Sequence, residues 1–145
     1  MKLNCYPIDK LSLNQEAVYT KTITLEDIES FARITGDHNP VHMDEAYAAK
    51  TPFGSRIAHG MLAGSLFSTI FGVILPGLGS VYTKQSLKFT KPVYPGDTIT
   101  AKVIIKELII ERNRVVFNCL ATNQNNETVI VGEAEIMPAK TEVKK

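Results

Sequence analysis

The stretch IAHGMLAGSLFSTIFGVILPGLGSVYT, residues 57–83, runs for 27 positions without an Asp, Glu, Lys or Arg. Two structures accommodate such a run. A membrane span needs about 20 predominantly apolar residues, but His59, Ser65, Ser68 and Thr69 interrupt this one, and Pro76-Gly77 followed by Gly79 breaks it. The helix it can form, residues 59–75, is short for a span and lacks aromatic belts and a basic inner flank. The alternative is a helix buried on every side, which in a small domain requires a sheet wrapped around it.

The residues that follow read as that sheet. Val81, Thr83, Gln85, Leu87 and Phe89 alternate with Tyr82, Lys84, Ser86 and Lys88, and Ile99, Ala101, Val103 and Ile105 alternate with Thr100, Lys102 and Ile104. Val115, Phe117, Cys119 and Ala121, then Ile130, Gly132, Ala134 and Ile136, continue the period of two. Turn residues stand at Pro95-Gly96-Asp97, near Asn113 and at Asn125-Asn126. Four consecutive strands with short connections predict an antiparallel meander, in which Gly132 and Ala134 let the buried helix lie close.

Upstream, residues 16–23 suit a short strand. Thr24 can cap a helix whose third residue, Asp27, completes a capping box, and Ile23 and Ile28 are spaced as a hydrophobic staple. Leu25, Ile28, Phe31 and Ala32 supply the apolar stripe, and Gly36 fits the left-handed stop. A second helix, residues 44–50, should end before Pro52. The expectation is therefore α+β: a single domain over residues 1–145, core about 16–138, with a long central helix in a curved antiparallel sheet and loosely attached ends at 1–14 and 140–145.

Composition narrows the function classes. A chain of 145 residues suits one domain, which at that length buries roughly two-thirds of its surface. With 44% hydrophobic and 21% charged residues, disorder is not indicated, and a net charge of +1 offers no footprint for nucleic acid or anionic lipid. Cys5 and Cys119 stand in no metal-ligand spacing, and the first twenty residues hold no apolar leader, so reduced thiols and a cytoplasmic location are expected.

Two segments could carry chemistry. Gly36-Asp37-His38-Asn39-Pro40-Val41-His42 places a carboxylate and an imidazole five residues apart, stiffened by Asn39-Pro40, just past a helix C-terminus whose partial negative charge helps a carboxylate act as a base. Such a pair can manage a water molecule. The same residues also suit a plain Asx-turn at Asp37 and a helix cap at His42. The second segment, Ile57-Ala58-His59-Gly60-Met61, opens the apolar helix, where the Gly60 amide is open to a ligand oxygen. Gly60, Gly64, Ser68 and Gly72 recur every four residues, a spacing that close packing also explains; a buried Ser68 hydroxyl would want a partner, and His59 reads as a capping or core histidine. Lys84, Lys88 and Lys91 could meet phosphates or simply be solvated, and residues 51–56 and 76–79 could shape a pocket.

The run GDHNPVH, preceded by Phe31-Ala32-Arg33-Ile34-Thr35 and followed after five residues by Ala48, resembles the hydratase motif of the MaoC-like (R)-specific enoyl-CoA hydratases. IAHGMLAGSLFS, VYTKQSLKF and PVYPGD resemble that family's central helix and the segments after it, so the likeness covers about residues 17–137. It implies a hot-dog fold, usually a homodimer, and a hydro-lyase that adds water reversibly to trans-2-enoyl-CoA to give (R)-3-hydroxyacyl-CoA. It makes Asp37 and His42 the catalytic pair, Gly60 the oxyanion donor, Ser68 a residue near the site and Asn39 a positioner of the loop. No metal or cofactor is implied beyond the coenzyme A thioester substrate, and no nucleic-acid or membrane partner. A 3-hydroxyacyl-carrier-protein dehydratase, a hot-dog acyl-CoA thioesterase and a non-catalytic acyl-binding module are the alternatives. Acyl chain length and pathway are not legible in the residues.

Overall fold

The computed structural model describes residues 1–142. Strand β1 (Glu16–Thr22) leads into helix α1 (Leu25–Thr35). The Thr24 hydroxyl accepts the Asp27 N–H at 3.1 Å while Asp27 accepts the Thr24 N–H at 3.0 Å, so two donors at the helix start are satisfied reciprocally. Ile23 and Ile28 are both fully buried, as a staple requires, and Gly36 ends the helix in the left-handed conformation. Two short helices follow, α2 (Pro40–Met43) and α3 (Glu45–Ala48). Helix α3 stops two residues before the expected end, where the Thr51 hydroxyl takes the Ala48 carbonyl at 2.6 Å.

The apolar stretch becomes a rod of changing pitch: α4 (Gly60–Gly64), α5 (Leu66–Thr69) and a closing π turn, Ile70–Ile74. It is not the uniform helix expected over 59–75. At the junction the Ser65 hydroxyl donates to the Leu62 carbonyl at 2.5 Å and the Ser65 N–H is shared between Met61 and Leu62, so a side chain competes with the regular ladder. Nor is the rod buried all round. Leu66, Phe67, Ile70 and Phe71 face the core, whereas Met61, Ser65, Ser68 and Gly72 form an exposed stripe at spacings of four, three and four. Freedom from charge had stood in for freedom from polarity, and the serines mark the open side.

One five-stranded antiparallel sheet, in the order β1-β3-β4-β5-β2, packs against that core face. Its other members are β2 (Val81–Phe89), β3 (Thr98–Ile109), β4 (Arg114–Thr122) and β5 (Thr128–Met137). Ile99, Ala101, Val103 and Ile105 are at most 1% exposed and alternate with wetter neighbours, as the period of two required. The meander, however, has three strands and not four: β2 pairs with β5 at one edge, far from β3. Residues 90–97 are too long for a tight hairpin; they cross to the other side of the sheet, tied on the way by Thr90 N–H to the Val129 carbonyl (2.9 Å) and Ala58 N–H to the Val93 carbonyl (2.7 Å).

Two further expectations change. Gly132 does not make room for the central rod; a Cβ there would lie 2.0 Å from the Ser86 carbonyl oxygen of β2, so the glycine admits a neighbouring strand. The first residues are also not loose: Asn4 N–H binds the Val73 carbonyl, Leu78 N–H binds the Asn4 carbonyl at 2.7 Å and Tyr6 N–H binds the Pro76 carbonyl at 2.8 Å. At the other end, the expected loose tail over 140–145 falls partly outside the described residues. Among the described residues, no helix is long and apolar enough to cross a membrane.

Gly132→Ala should cost about 1–3 kcal/mol, the usual range for forcing an extra methyl group into a packed site. Chemical denaturation measures this, and an unchanged midpoint would show that β2 can yield.

Candidate active site

Helix α1 ends at Gly36, and the chain must then turn back at once. The Asp37 N–H donates to the Thr35 hydroxyl at 3.2 Å, and the Asn39 N–H donates to Asp37 Oδ1 at 3.2 Å. Asn39 in turn caps α2, its Oδ1 accepting the Val41 N–H at 3.2 Å with Pro40 at the first helical position. The Asx-turn geometry at Asp37 is thus present, and it holds the carboxylate in place. His42 does not cap the next helix; Asp44 does, accepting the Tyr47 N–H at 3.1 Å.

One turn into α2, the His42 ring is only 8% exposed. Its Nδ1 lies 2.7 Å from the Ile57 carbonyl oxygen, which can only accept, so Nδ1 carries the proton and Nε2 presents a lone pair in the neutral ring. Burial, the largest influence, pushes the imidazole below its ordinary value; the bond to Ile57 opposes this, the adjacent His59 adds to it and the Asp37 carboxylate opposes it. Arg56 fixes the same helix from outside, its Nε donating to the His42 carbonyl at 2.6 Å while its guanidinium reaches Glu29 of α1 at 3.8 Å.

His59, 3% exposed, precedes Gly60 at the head of the central rod. Its ring stacks on His42 with centroids 3.9 Å apart and 28° between planes, and its Nε2 lies 3.0 Å from the Asp37 backbone carbonyl. One ligating atom each from Asp37, His42 and His59 falls within a 4.8 Å cluster. A metal ion would have to lie in the plane of each imidazole that binds it. Rings stacked at this angle lie in nearly parallel planes, so an ion in the plane of one is displaced from the plane of the other, and the cluster is better suited to sharing a water than to chelating an ion.

A cavity of about 520 Å³ opens beside these groups. His42 and Gly60 both line it, together with the apolar side chains of Met61, Phe89, Val93 and Ile130. Asp37 is exposed and reaches the cavity only through its place beside His42. Phe53, from the segment expected to shape a pocket, lines it; residues 76–79 do not, being held by the N-terminal segment. Ser68 stands on the exposed stripe and does not line the cavity, so the expected buried hydroxyl is corrected: the change of pitch at Ser65 and the open side of the rod leave it facing outward. Lys91 lines the cavity mouth but is paired with Glu127, whereas Lys84 and Lys88 are exposed on β2.

In the sequence Arg56 stands only as the end of a segment that could shape a pocket, with no sign of its tie to His42, and His59 reads as a cap or core residue. The available signal was positional: Arg56 is the last charge before the charge-free run, and His59 is the first polar side chain within it.

A ring held neutral by burial destabilises the fold once the unfolded chain can take up the proton. Stability should therefore be flat above the ordinary imidazole value of 6.5 and fall as pH drops from there through the lower folded value. A heteronuclear NMR titration should place the His42 midpoint below 6.5, and lower still in Asp37→Asn, which removes the carboxylate that raises it. A midpoint at or above 6.5 in the wild type would contradict this environment.

Comparison with known proteins bears on the same residues. A family model described as "MaoC like domain" matches residues 11–127. An (R)-specific enoyl-CoA hydratase of Rhodospirillum rubrum is 46% identical over 127 residues, covering 87% of this chain and 88% of its own. A 3-hydroxybutyryl-CoA dehydratase of Methylorubrum extorquens is 42% identical over 134 residues, covering 92% and 85%. The unliganded R-hydratase PhaJ1 of Pseudomonas aeruginosa superposes with a TM-score of 0.90 at 41% identity, covering 99% of this chain and 94% of that one. The sheet-and-rod architecture is therefore the hot-dog fold of those hydratases.

Proposed function

The chain belongs to the MaoC-like domain family, and on that premise we propose that it is an (R)-specific enoyl-CoA hydratase, a hydro-lyase adding water reversibly across trans-2-enoyl-CoA to give (R)-3-hydroxyacyl-CoA. The observation that carries this reading is the convergence of His42 and the Gly60 backbone on one apolar-walled cavity, with Asp37 beside His42.

The chemistry has three demands: a base for the water that attacks the β-carbon, a proton for the α-carbon, and stabilisation of the enolate oxygen between them. The substrate carbonyl takes the Gly60 N–H, at the first turn of the rod. Asp37 and His42 Nε2, both acceptors on side chains clustered beside one another, receive the two protons of a single water and so aim its lone pair at the β-carbon. Asp37 takes a proton as the C–O bond forms. His42 orients the water and relays that proton to the α-carbon when the enolate collapses. The apolar wall of Met61, Phe89, Val93 and Ile130 holds the acyl chain and keeps other water away. The reaction is assigned to these side chains without a metal, on the ring geometry given above.

A second copy of the chain is the assigned partner. Among the described residues, strand β2 ends the sheet with one side unpaired, and Val81, Tyr82 and Phe89 along it are 47%, 40% and 49% exposed. An unpaired edge carrying apolar side chains can recruit another strand, with Lys84 and Lys88 on the same strand limiting that pairing to a matched partner.

Wild type should hydrate crotonyl-CoA, with an unchanged rate after exhaustive chelation. Asp37→Asn and His42→Ala should each lower kcat by at least about a hundredfold, the lower range for a positioned acid or base. Release of free thiol from a saturated acyl-CoA without hydration would indicate a thioesterase. Binding without turnover would indicate an acyl-binding module, and faster dehydration of carrier-protein thioesters would move the assignment to that substrate class. In sedimentation, the particle should have twice the 16.0 kDa mass of the chain.

A further inference from the structure

We propose that His59 is a positioning residue for the catalytic pair, its Nε2–H holding the Asp37 peptide and its ring face holding the ring of His42, so that one side chain sets both members against the same water. This deepens the hydratase reading and rests on it. The ring sits between two others: it stacks on His42 at 3.9 Å, and Phe31 of α1 makes a tilted contact at 4.8 Å with 54° between planes. From that position Nε2 reaches the Asp37 carbonyl at 3.0 Å. A carbonyl cannot donate, so Nε2 carries the proton.

Two observations separate positioning from the cap or core role that the sequence suggests. His59 is the residue before α4, yet its side chain makes no capping bond there. Among the described residues, its buried Nδ1 has no hydrogen-bond partner. A leucine or phenylalanine would fill the same space without leaving a nitrogen unsatisfied, so packing alone gives no reason for an imidazole. What the imidazole adds is the donor at Nε2, and that donor goes to the peptide of the residue assigned as base.

The location gives this bond its reach. His59 and Gly60 are adjacent, so the backbone that presents the oxyanion donor also carries the ring that touches both Asp37 and His42. The pair comes from one stretch of chain and the amide from another, and His59 is the side chain adjacent to the amide that touches both members of the pair. Loss of the contact should therefore misplace the water relative to the thioester and lower kcat while leaving KM nearly unchanged. A misplacement on the order of 1 Å is worth about a hundredfold in rate.

Two variants divide the functions of the ring. His59→Phe keeps an aromatic face against His42 and deletes the donor; His59→Gln restores an N–H donor and deletes the face. With crotonyl-CoA, His59→Phe should lower kcat by at least about tenfold with KM changed less than about threefold, and His59→Gln should recover part of that loss, the remainder reflecting the missing ring face. Wild-type kcat in His59→Phe, or a loss in either folded variant that falls on KM and not on kcat, would overturn the proposal. An independent reading comes from the His42 ring, which is faced by Asp37, by His59 and by Arg56 with its partner Glu29. Its NMR titration midpoint should move up toward 6.5 in His59→Gln, and an unmoved midpoint overturns the proposal even if His59→Phe fails to fold. Wild type that does not hydrate crotonyl-CoA strikes the hydratase reading instead, and the His42 titration still judges His59.

Discussion

The arrangement turns on one hydrogen bond, from His42 Nδ1 to the Ile57 carbonyl at 2.7 Å. It joins the short helix after α1 to the segment that enters the central rod, two parts of the chain that share no regular secondary structure. It also decides the chemistry of the ring. With Nδ1 committed as donor, Nε2 is left as acceptor; a water can approach it, and a proton taken there can be passed on. Were the bond absent, the buried imidazole would have an unpaired donor and no preferred tautomer, and the loop would lose one of its ties to the segment that leads to Gly60.

The sheet serves this arrangement from behind. Leu66, Phe67, Ile70 and Phe71 anchor the rod against the inward residues of β3, β4 and β5, which fixes where its first turn emerges. The same turn is bounded by β2: a Cβ at Gly60 would lie 2.9 Å from the Phe89 ring. The amide is thus kept accessible from the cavity by a glycine that the edge strand nearly touches. This is why the displacement of β2 to the far edge matters. A strand hairpinned to β3 would leave Phe89 nowhere near Gly60, and the cavity would lose that wall.

Much of this was legible where local rules act alone. The capping box at Thr24 and Asp27, the staple of Ile23 and Ile28, the left-handed Gly36 and the alternation of β3 all follow from interactions within a few residues, and they stand as read. The motif from Gly36 to His42 and the Gly60 turn could be singled out because short polar groups near a charge-free helix are conspicuous. What the sequence could not convey depends on neighbours distant along the chain. The pairing of β2 with β5 follows from the path of residues 90–97, and alternation is silent about which strand lies alongside. The outward face of Ser68 follows from where the sheet stops. The role of His59 follows from a peptide carbonyl twenty-two residues earlier, and a lone histidine at a helix start carries no sign of it.

The two members of the pair differ in exposure, and the difference has a chemical use. Asp37 is open to solvent, where a carboxylate is well hydrated. His42 is buried, where a cation is costly and the neutral ring is favoured. A water between them therefore meets an anion on one side and a neutral acceptor on the other. The pair holds one negative charge in all, and one proton is the only charge it must move. Had both groups been buried, the carboxylate would have resisted ionisation; had both been exposed, water would have competed for the lone pair on Nε2. Burying the imidazole but not the carboxylate lets an uncharged reactant, water, be activated at the mouth of an apolar cavity.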